Sequence, residues 1–566
     1  MSDSRRGLPL TTSRREKIFP KLTPVQISRI EPHGRIRSVQ LGEVLIEQGD
    51  TSVPFFVVIT GEIEIVRPFG TQETLITIHS DGHLITIHSD GQFTGEVNML
   101  SGRRSLVRAR VTKPGKVIEL DHQQMLSLVQ TDAELSGIFM RAFILRRVEL
   151  IAAGVGDIVL VGSAYSADTL RIKEFLMRNG HPYSYIDLER DPDVQNLLDS
   201  FQVSASEIPV LICRGQIVLR IPSNQEIADC LGFNEPIDQT HVRDLIIIGA
   251  GPSGLAAAVY GASEGLDVLM LETSSPGGQA GSSSSIENYL GFPTGISGQE
   301  LAGRAYNQAQ KFGAHMLVAR AARLICDRKP YVVELENGTR ISTRTVLIAT
   351  GAQYRKLPLE NLSRFEGAGV YYGATFVEAQ LCRREEVIVV GGGNSAGQAA
   401  VFLSQNAKRV YMLVRSNSLA ASMSQYLIRR IENSPTIILR LQTDIVAVEG
   451  KDHLESVYWR NSQTGQTEKH EIRHIFVMTG ADPNTPWLDG CIALEDKGFI
   501  KTGPDLSPDN LSAAGWPLTR QAYLLETSLP NVFAVGDVRG GSIKRVASAV
   551  GEGSTAISFV HRVLQE

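Results

Sequence analysis

The chain has 566 residues, which is too many for one hydrophobic core, so several domains are expected. Its 42% hydrophobic and 21% charged residues are ordinary globular values and exclude disordered, collagenous and coiled-coil chains. A formal net charge of −5 provides no basic field, so we expect neither nucleic acid nor a membrane among its partners.

Short β-like runs punctuated by glycine occupy residues 20–150. They include residues 55–60, 61–66 and 117–120, and such regular short strands predict a small β-barrel or jelly roll. A helical pattern follows at residues 121–150, with Asp121 as its predicted N-cap.

An eight-residue segment, LITIHSDG, occurs twice in this region, at residues 75–82 and 84–91. Two such short copies do not make a solenoid, and we interpret them as a local duplication that lengthens one hairpin or loop. Because His79 and His88 lack clustered partners of metal-ligand type, we expect them to face solvent.

Residues 155–236 alternate between strand and helix patterns, which indicates a small α/β domain. The predicted elements, in chain order, are 158–161, 167–178, 183–187, 191–201, 210–212, 217–219 and 223–231.

A glycine-rich turn between a strand and a helix opens the rest of the chain. It consists of Gly249, Ala250, Gly251, Pro252, Ser253 and Gly254. Gly249 permits the tight turn, Gly251 lets the backbone approach a pyrophosphate, and Gly254 lets the helix pack on the strand. Glu272 ends the next strand, where an acid can accept the hydroxyls of an adenosine ribose. This complete context predicts a dinucleotide site.

A second turn of this kind consists of Gly391, Gly392, Gly393, Asn394, Ser395 and Ala396. The strand after it leads into Arg415 and Ser416 instead of an acid, and these side chains suit a 2′-phosphate. The pattern favours NADPH and leaves NADH possible. The alternative is that Arg415 is a solvated surface charge.

Residues 241–566 resemble the bacterial thioredoxin reductases through the first turn and five further motifs in matching order and spacing. These motifs are residues 277–279, 286–293, 349–352, 480–485 and 532–537. The resemblance implies an FAD-binding domain in two pieces, residues 241–358 and 486–566, with an NAD(P)H-binding domain, residues 359–485, inserted between them. It also implies a homodimer.

The first turn and the resemblance together imply a set of FAD contacts. The set is Gly249, Gly251, Pro252, Ser253, Gly254, Glu272, Gly278, Gln279, Asn288, Thr350, Gly351, Gly536, Asp537, Arg545, Val546 and Ala547. Gln279 and Asn288 would contact the flavin, and Asp537 would touch the ribityl or pyrophosphate region. The corresponding NAD(P)H set is Gly391, Gly393, Asn394, Ser395, Ala396, Arg415 and Ser416.

One departure from the family decides the expected chemistry. Those reductases carry a Cys-Ala-Thr-Cys dithiol in the inserted domain, and here Gly373 and Phe376 occupy the two cysteine positions. Disulfide exchange requires a thiolate, so we assign no catalytic residue. We interpret Cys382 as a buried helical thiol.

Five cysteines, scattered without a CxxC pair or zinc-ligand spacing, predict a cytoplasmic chain without a disulfide framework or bound metal.

Residues 155–236 resemble a glutaredoxin-like or thioredoxin-like fold, with Pro209 at the position of its cis-proline turn. The stretch that would hold its CxxC, residues 162–168, has no cysteine. Ser163 and Ser166 are interpreted as helix caps.

Residues 20–150 resemble the cyclic-nucleotide-binding domains in two stretches, 55–66 and 93–96. The resemblance implies a ligand site at Gly95, with Glu96 on a ribose hydroxyl and Arg103 on the cyclic phosphate. The alternative is a structural or dimerising domain whose arginines form surface ion pairs.

The leading hypothesis is an FAD-dependent NAD(P)H oxidoreductase that passes electrons to an external acceptor, which would be a partner protein, a quinone or dioxygen. A cyclic nucleotide or another small effector would bias it through the N-terminal region. The alternatives are a flavin-based sensor without turnover and a true thioredoxin-disulfide reductase.

Overall fold

The structure, a computed structural model, describes most of the chain. It covers residues 16–566 except 52, 70–71, 76, 79–83, 96–98, 100–103, 106, 153–157, 189–202, 205–206, 214–216 and 489. The described residues form two compact units. The first contains residues up to 162, with 179–237 and 310–318, and the second contains 163–178, 238–309 and 319–566.

The first unit begins with a mainly antiparallel sheet. Its strands are β1 (Arg35–Val39), β2 (Val44–Ile46), β3 (Phe55–Phe69), β4 (Gln72–Leu75), β5 (Thr77–Ile78), β6 (Leu84–His88) and β7 (Arg108–Leu120). The order is β1-β7-β3-β6-β5, with β2 beside β7 and β4 beside β3. The two strands predicted on either side of Gly61 are one strand, because β3 pairs with β7 along its length and absorbs Gly61 in a register shift.

Among the described residues, this sheet is accompanied by the helices Pro24–Ile30, His122–Thr131 and Ala133–Ala152. Asp121 caps the second helix, as predicted, by accepting a hydrogen bond from the Gln124 backbone N–H. The single helix predicted for residues 121–150 is instead two helices, because the Asp132 carboxylate accepts the Leu135 N–H and begins a new helix. Phe55, Phe93 and Phe139 interlock at edge-on or tilted angles in the core.

The duplicated segments pair with each other across β5 and β6, in the register Thr77↔Ile85 and Ile78↔Leu84. The expected solvent-facing position of His88 was wrong, because the His88 side chain is only 2% exposed and packs near the Phe19 ring. Burial, together with the Arg146 charge, lowers the pKa of His88 well below its usual value. His79 lies outside the described residues.

The middle region contributes a four-stranded sheet to the first unit. Its strands are β8 (Ile158–Gly162), β9 (Ser184–Asp187), β10 (Val210–Cys213) and β11 (Ile217–Arg220), in the order β11-β10-β8-β9. The helix Asn224–Leu231 begins after the Ser223 cap, and the Ile208–Pro209 peptide bond is cis. The helix predicted at residues 191–201 lies outside the described residues. The strand β14 (His315–Val318) is also part of the first unit.

The second unit contains a sheet that we name the first Rossmann sheet. Its strands are β12 (Val242–Ile248), β13 (Val268–Glu272), β15 (Ala321–Ile325), β16 (Tyr331–Leu335), β17 (Arg340–Ile348) and β28 (Val532–Ala534). The order is β13-β12-β17-β16-β15, with β28 parallel to β17. Its helices are Pro252–Ser263, Gly278–Gly281, Gly298–Lys311, Pro508–Ala513 and Val546–Gln565.

A five-stranded parallel sheet, the second Rossmann sheet, lies between the two pieces of chain that build the first. Its strands are β19 (Val370–Tyr371), β20 (Glu386–Val390), β21 (Arg409–Val414), β22 (Ile437–Leu441) and β26 (His474–Val477), in the order β19-β26-β20-β21-β22. Its helices are Phe376–Leu381, Asn394–Leu403 and Gln425–Glu432.

Two smaller sheets complete this part of the second unit. Strands β23 (Thr443–Gly450), β24 (Leu454–Asn461) and β25 (Thr467–His470) form an antiparallel sheet. Strands β18 (Ala352–Tyr354) and β27 (Ala481–Pro483) pair where the chain enters and leaves the second Rossmann sheet. The helix Ala167–Arg178 also belongs to the second unit.

The prediction of a chain without disulfides was wrong, because Cys326 is bonded to Cys491. The two residues lie 165 positions apart in sequence, so spacing could not reveal the pair. They meet because the turn Pro486–Leu488 packs on β15. The cysteine pattern therefore no longer supports a reducing compartment.

Thiol titration of the denatured chain, without reductant, is expected to count three thiols, namely Cys213, Cys230 and Cys382. The same titration after reduction should count all five cysteines. Cys491→Ser is the control, since it leaves Cys326 without its bonding partner and should raise the unreduced count to four. Five reactive thiols in the unreduced wild type would contradict the bond.

Candidate functional site

In the first glycine turn, close backbone contacts leave no room for a side chain at Gly249 or Gly254. Gly249 has φ 105°, and a Cβ there would lie 2.3 Å from the Ala349 carbonyl oxygen. A Cβ on Gly254 would lie 1.9 Å from the Gly249 carbonyl oxygen. The strand β12 and the helix Pro252–Ser263 therefore meet as closely as the sequence predicted.

Gly251 supplies the open part of this turn, since a Cβ there would meet nothing within 4 Å. The neighbouring segment closes one side: the Gly277 N–H donates to the Ala250 carbonyl at 2.7 Å, and a Cβ on Gly278 would lie 3.1 Å from the Gly251 Cα. Helix N–H groups beside an open glycine backbone form a cradle that fits a diphosphate.

Glu272 lies at the end of β13, as predicted, and is nearly buried. Its carboxylate accepts the backbone N–H groups of Ala250 at 2.8 Å and Ser274 at 3.0 Å. The acid is therefore held beside the turn, where it can meet a ribose.

Two more predicted residues, Thr350 and Gly351, follow β17, and a third, Gln279, lies in the short helix Gly278–Gly281. Gln279 donates to the Ala352 carbonyl. Thr350 exchanges two hydrogen bonds with Asn484, at 2.9 and 2.8 Å. Gly351 has φ 64° and faces open space. Asn288 is exposed in the loop before helix Gly298–Lys311.

Gly536 and Asp537 approach the turn from the second piece of chain. The Gly536 N–H donates to Glu552 at 2.6 Å, and a Cβ on Gly536 would lie 2.7 Å from the Ser253 hydroxyl oxygen. Burial raises the pKa of Asp537 and Lys544 opposes the rise.

The long helix Val546–Gln565 starts in the same neighbourhood. Its N-cap, Arg545, makes no side-chain hydrogen bond to the first turn of the helix. The backbone N–H groups of Val546 and Ala547 belong to that turn, at the positive end of the helix dipole.

The second glycine turn repeats the close packing of the first. Gly391 has φ 139°, and a Cβ there would lie 2.4 Å from the Met478 carbonyl oxygen. Ala396 is fully buried, and the Asn394 side chain accepts the Ser424 N–H at 2.8 Å. Gly393 faces open space apart from one oxygen at 4.0 Å.

Arg415 lies at the end of β21 with its side chain 75% exposed. Its Nε is 4.0 Å from an Asp444 carboxylate oxygen, and the Ser416 hydroxyl donates to the Ser418 carbonyl at 2.7 Å. An exposed cation at this strand end is compatible both with a 2′-phosphate site and with a surface charge.

Tyr354 connects the two predicted sites, and sequence reasoning missed it. It lies in β18, with its side chain near Ser395 and Asp537. Burial raises its pKa, the neighbouring Ser395 hydroxyl lowers it, and the Asp537 carboxylate adds to the rise. The sequence places Tyr354 only three residues after the predicted site residue Gly351. It does not show that β18 pairs with the distant strand β27, and this pairing fixes the position of Tyr354.

The segment that replaces the family dithiol leads into the helix Phe376–Leu381. Gly373 faces open space, and Glu378 accepts the Thr375 N–H at 2.9 Å near the helix start. Cys382 is completely buried, as predicted, and burial raises the pKa of its thiol to about 12. A thiol in this state is a poor nucleophile.

The predicted cyclic-nucleotide residues are described only in part. Gly95 has φ 102°, and its carbonyl accepts the Arg146 guanidinium at 2.7 Å. Glu96 and Arg103 lie outside the described residues.

Two sheets, each with a glycine turn after a strand whose two neighbours are parallel to it, are the architecture of a two-nucleotide oxidoreductase. Residues 243–553 match the family model described as pyridine nucleotide-disulphide oxidoreductase. This match covers more than half of the chain, which belongs to that family. Residues 36–132 match the cyclic nucleotide-binding domain model.

The similarity to named proteins supports this family assignment. The chain is 31% identical to a thioredoxin reductase of Streptomyces clavuligerus, over 57% of this chain and 94% of the relative. It is 30% identical to one of Bacillus subtilis, over 58% and 97%. The crystal structure of Lactococcus lactis thioredoxin reductase, in its FR conformation, matches with a TM-score of 0.51 at 27% identity, over 57% of this chain and 100% of that one.

Neither a membrane-spanning helix nor a metal-binding cluster is found among the described residues. No helix among them has the length and apolar character needed to cross a bilayer. Their His, Cys, Asp and Glu side chains form no group of three or more arranged to hold a metal ion.

Proposed function

We propose that this chain is an FAD-dependent NAD(P)H oxidoreductase of thioredoxin reductase-like type that lacks the redox dithiol and delivers electrons to an external acceptor. The observation that carries the proposal is the combination of two intact glycine turns with Gly373 and Phe376 at the dithiol positions. The acceptor would be a partner protein, a quinone or dioxygen.

The residues around the first turn fit FAD. The open backbone at Gly251 would hold the pyrophosphate, and Glu272 would accept the adenosine ribose hydroxyls. Asp537 would accept a hydroxyl of the ribityl region. When bound, FAD would supply hydride acceptance from NAD(P)H and onward electron transfer. We assign FAD to residues 241–358 and 486–566, and NAD(P)H to residues 359–485.

The chain's own part in this chemistry is orientation. Tyr354 lies near Ser395 of the second turn and near Asp537 of the first site, so both nucleotides would be bound next to one side chain. Hydride transfer itself needs no proton transfer by a protein side chain.

Mixing the anaerobic flavoprotein with NADPH, and separately with NADH, tests the proposal in a stopped-flow instrument. Fast loss of the visible flavin band is expected with at least one nucleotide. If neither bleaches the band, the proposal fails, and the alternative of a flavin sensor without turnover takes its place.

A thioredoxin-disulfide reductase is the candidate that the names of the relatives favour. Cys326 follows β15, and its bonding partner Cys491 follows the turn Pro486–Leu488. This pair is therefore not at the position of the family dithiol, which corresponds to residues 373–376. We therefore expect no NADPH-dependent reduction of thioredoxin. Reduction of thioredoxin by the wild-type chain would restore that candidate.

Arg415→Ala is expected to raise KM for NADPH about fivefold and to leave KM for NADH unchanged, because only NADPH carries the 2′-phosphate. Steady-state kinetics with both nucleotides checks this. Arg409→Ala is the matched control, since Arg409 begins the same strand and pairs with Glu386. Equal effects on both nucleotides would assign Arg415 to the surface charge.

The remaining assignments concern assembly and regulation. We propose a homodimer whose N-terminal region, residues 20–150, binds a cyclic nucleotide or another small effector. The match of residues 36–132 to the cyclic nucleotide-binding domain supports the effector.

A further inference from the structure

The helix Ala167–Arg178, which we name the bridging helix, lies outside the segment that matches the oxidoreductase family. It nevertheless contacts both regions that carry the glycine turns. Its start contacts residues next to the second Rossmann sheet, and its end contacts the loop beside the first turn.

The first half of the bridging helix is packed against the second Rossmann sheet. A Cβ on Gly367 would lie 2.5 Å from the Ala167 Cα, so the two backbones touch. Just before the helix, the Tyr165 ring stacks on His453 at 5.4 Å. Leu170 is buried in the same hydrophobic cluster as Tyr371.

The last turn of the bridging helix is bonded to the region of the first glycine turn. The Arg178 guanidinium donates to the Gly278 carbonyl at 2.7 Å. The same nitrogen would lie 2.9 Å from a Cβ on Gly281. The Gln299 side chain donates to the Met177 carbonyl at 3.0 Å.

Burial and an ion pair fix the Arg178 side chain in the position from which it bonds the Gly278 carbonyl. Its side chain is only 12% exposed, and its second terminal nitrogen pairs with Glu174 at 3.1 Å, one helical turn earlier. The fork of the guanidinium thus spans an acid and a backbone carbonyl, a geometry that lysine cannot reproduce fully. A desolvated, charge-assisted bond of this kind is among the stronger hydrogen bonds in proteins.

The carbonyl that Arg178 contacts belongs to the side of the diphosphate cradle. Gly278 abuts Gly251, and the preceding residue, Gly277, donates to Ala250 inside the turn. We propose that Arg178 is a positioning residue for FAD: it holds the Gly277–Gln279 segment against the first glycine turn and brings a positive charge beside it. This inference rests on the proposed function.

The test compares FAD affinities of full-length variants after removal and re-addition of FAD, followed by quenching of flavin fluorescence. Arg178→Ala is expected to raise the Kd for FAD at least about tenfold, equivalent to about 1.4 kcal/mol. Arg178→Lys should recover part of this loss, because it restores the charge and one donor. The Kd for NADPH should stay at the wild-type value in both variants.

Arg171→Ala is the matched control, since Arg171 lies on the same helix and donates to Asp168 at 2.8 Å. If Arg178→Ala does not accumulate as folded protein, Arg178→Met, which keeps the aliphatic stem, is expected to show the same tenfold loss. A Kd for FAD equal to that of the control in these variants overturns the inference. A wild type that takes up no FAD refutes the proposed function instead.

Discussion

Gly254→Ala is expected to raise the Kd for FAD about a hundredfold, equivalent to about 2.7 kcal/mol. The added methyl would lie 1.9 Å from the Gly249 carbonyl oxygen, so the helix must move away from β12. That movement displaces the helix N–H groups and opens the tight turn in one step. Titration of the FAD-free variant with FAD, followed by flavin fluorescence, measures the effect.

Gly303→Ala is the matched control for this substitution. Gly303 also lies in a helix, Gly298–Lys311, and a Cβ there would meet nothing within 4 Å. Alanine is the better helix former, so stability should stay equal or increase slightly, and the Kd for FAD should not change. Equal affinities in the two variants would contradict the close packing of the first turn.

Arg520→Ala is expected to destabilise the chain by about 3–5 kcal/mol. The Glu526 carboxylate is completely buried, and Arg520 pairs with both of its oxygens, at 2.7 and 3.1 Å. Removing the arginine leaves an uncompensated buried charge, which two backbone N–H groups satisfy only in part. A fall in the urea midpoint of FAD release measures the loss.

The control is an exposed pair of the same chemistry. Arg340 bonds Glu334 at 2.7 Å, but its side chain is 60% exposed, so Arg340→Ala should cost less than about 1 kcal/mol. Similar midpoints for the two variants would show that burial does not set the strength of the Arg520 pair.

Structural features that depend on residues close together in sequence could be predicted well. The bridging helix begins and ends at the predicted residues, and β12 and β13 flank the first glycine turn where the spacing placed them. The spacing of glycines, the helix caps and the runs of apolar residues are local signals, and they determine the local structure. The family membership rests on the same motifs and is confirmed by the match over residues 243–553.

Features made by distant parts of the chain could not be predicted. The disulfide, the burial of His88 and the proximity of Tyr354 to Ser395 all depend on how separate segments are brought together. The role proposed for Arg178 has the same origin, because no spacing rule connects it with Gly278.

The pairing of β17 with β28 has a consequence for biosynthesis. Val346 aligns with Val532, so the first Rossmann sheet stays incomplete until the last part of the chain has left the ribosome. The second Rossmann sheet lies wholly between these strands and can form earlier. Non-local pairing is slow, and an unpaired strand edge is prone to aggregate while it waits. Nascent chains that stop before β28 should therefore be the ones that depend most on chaperones.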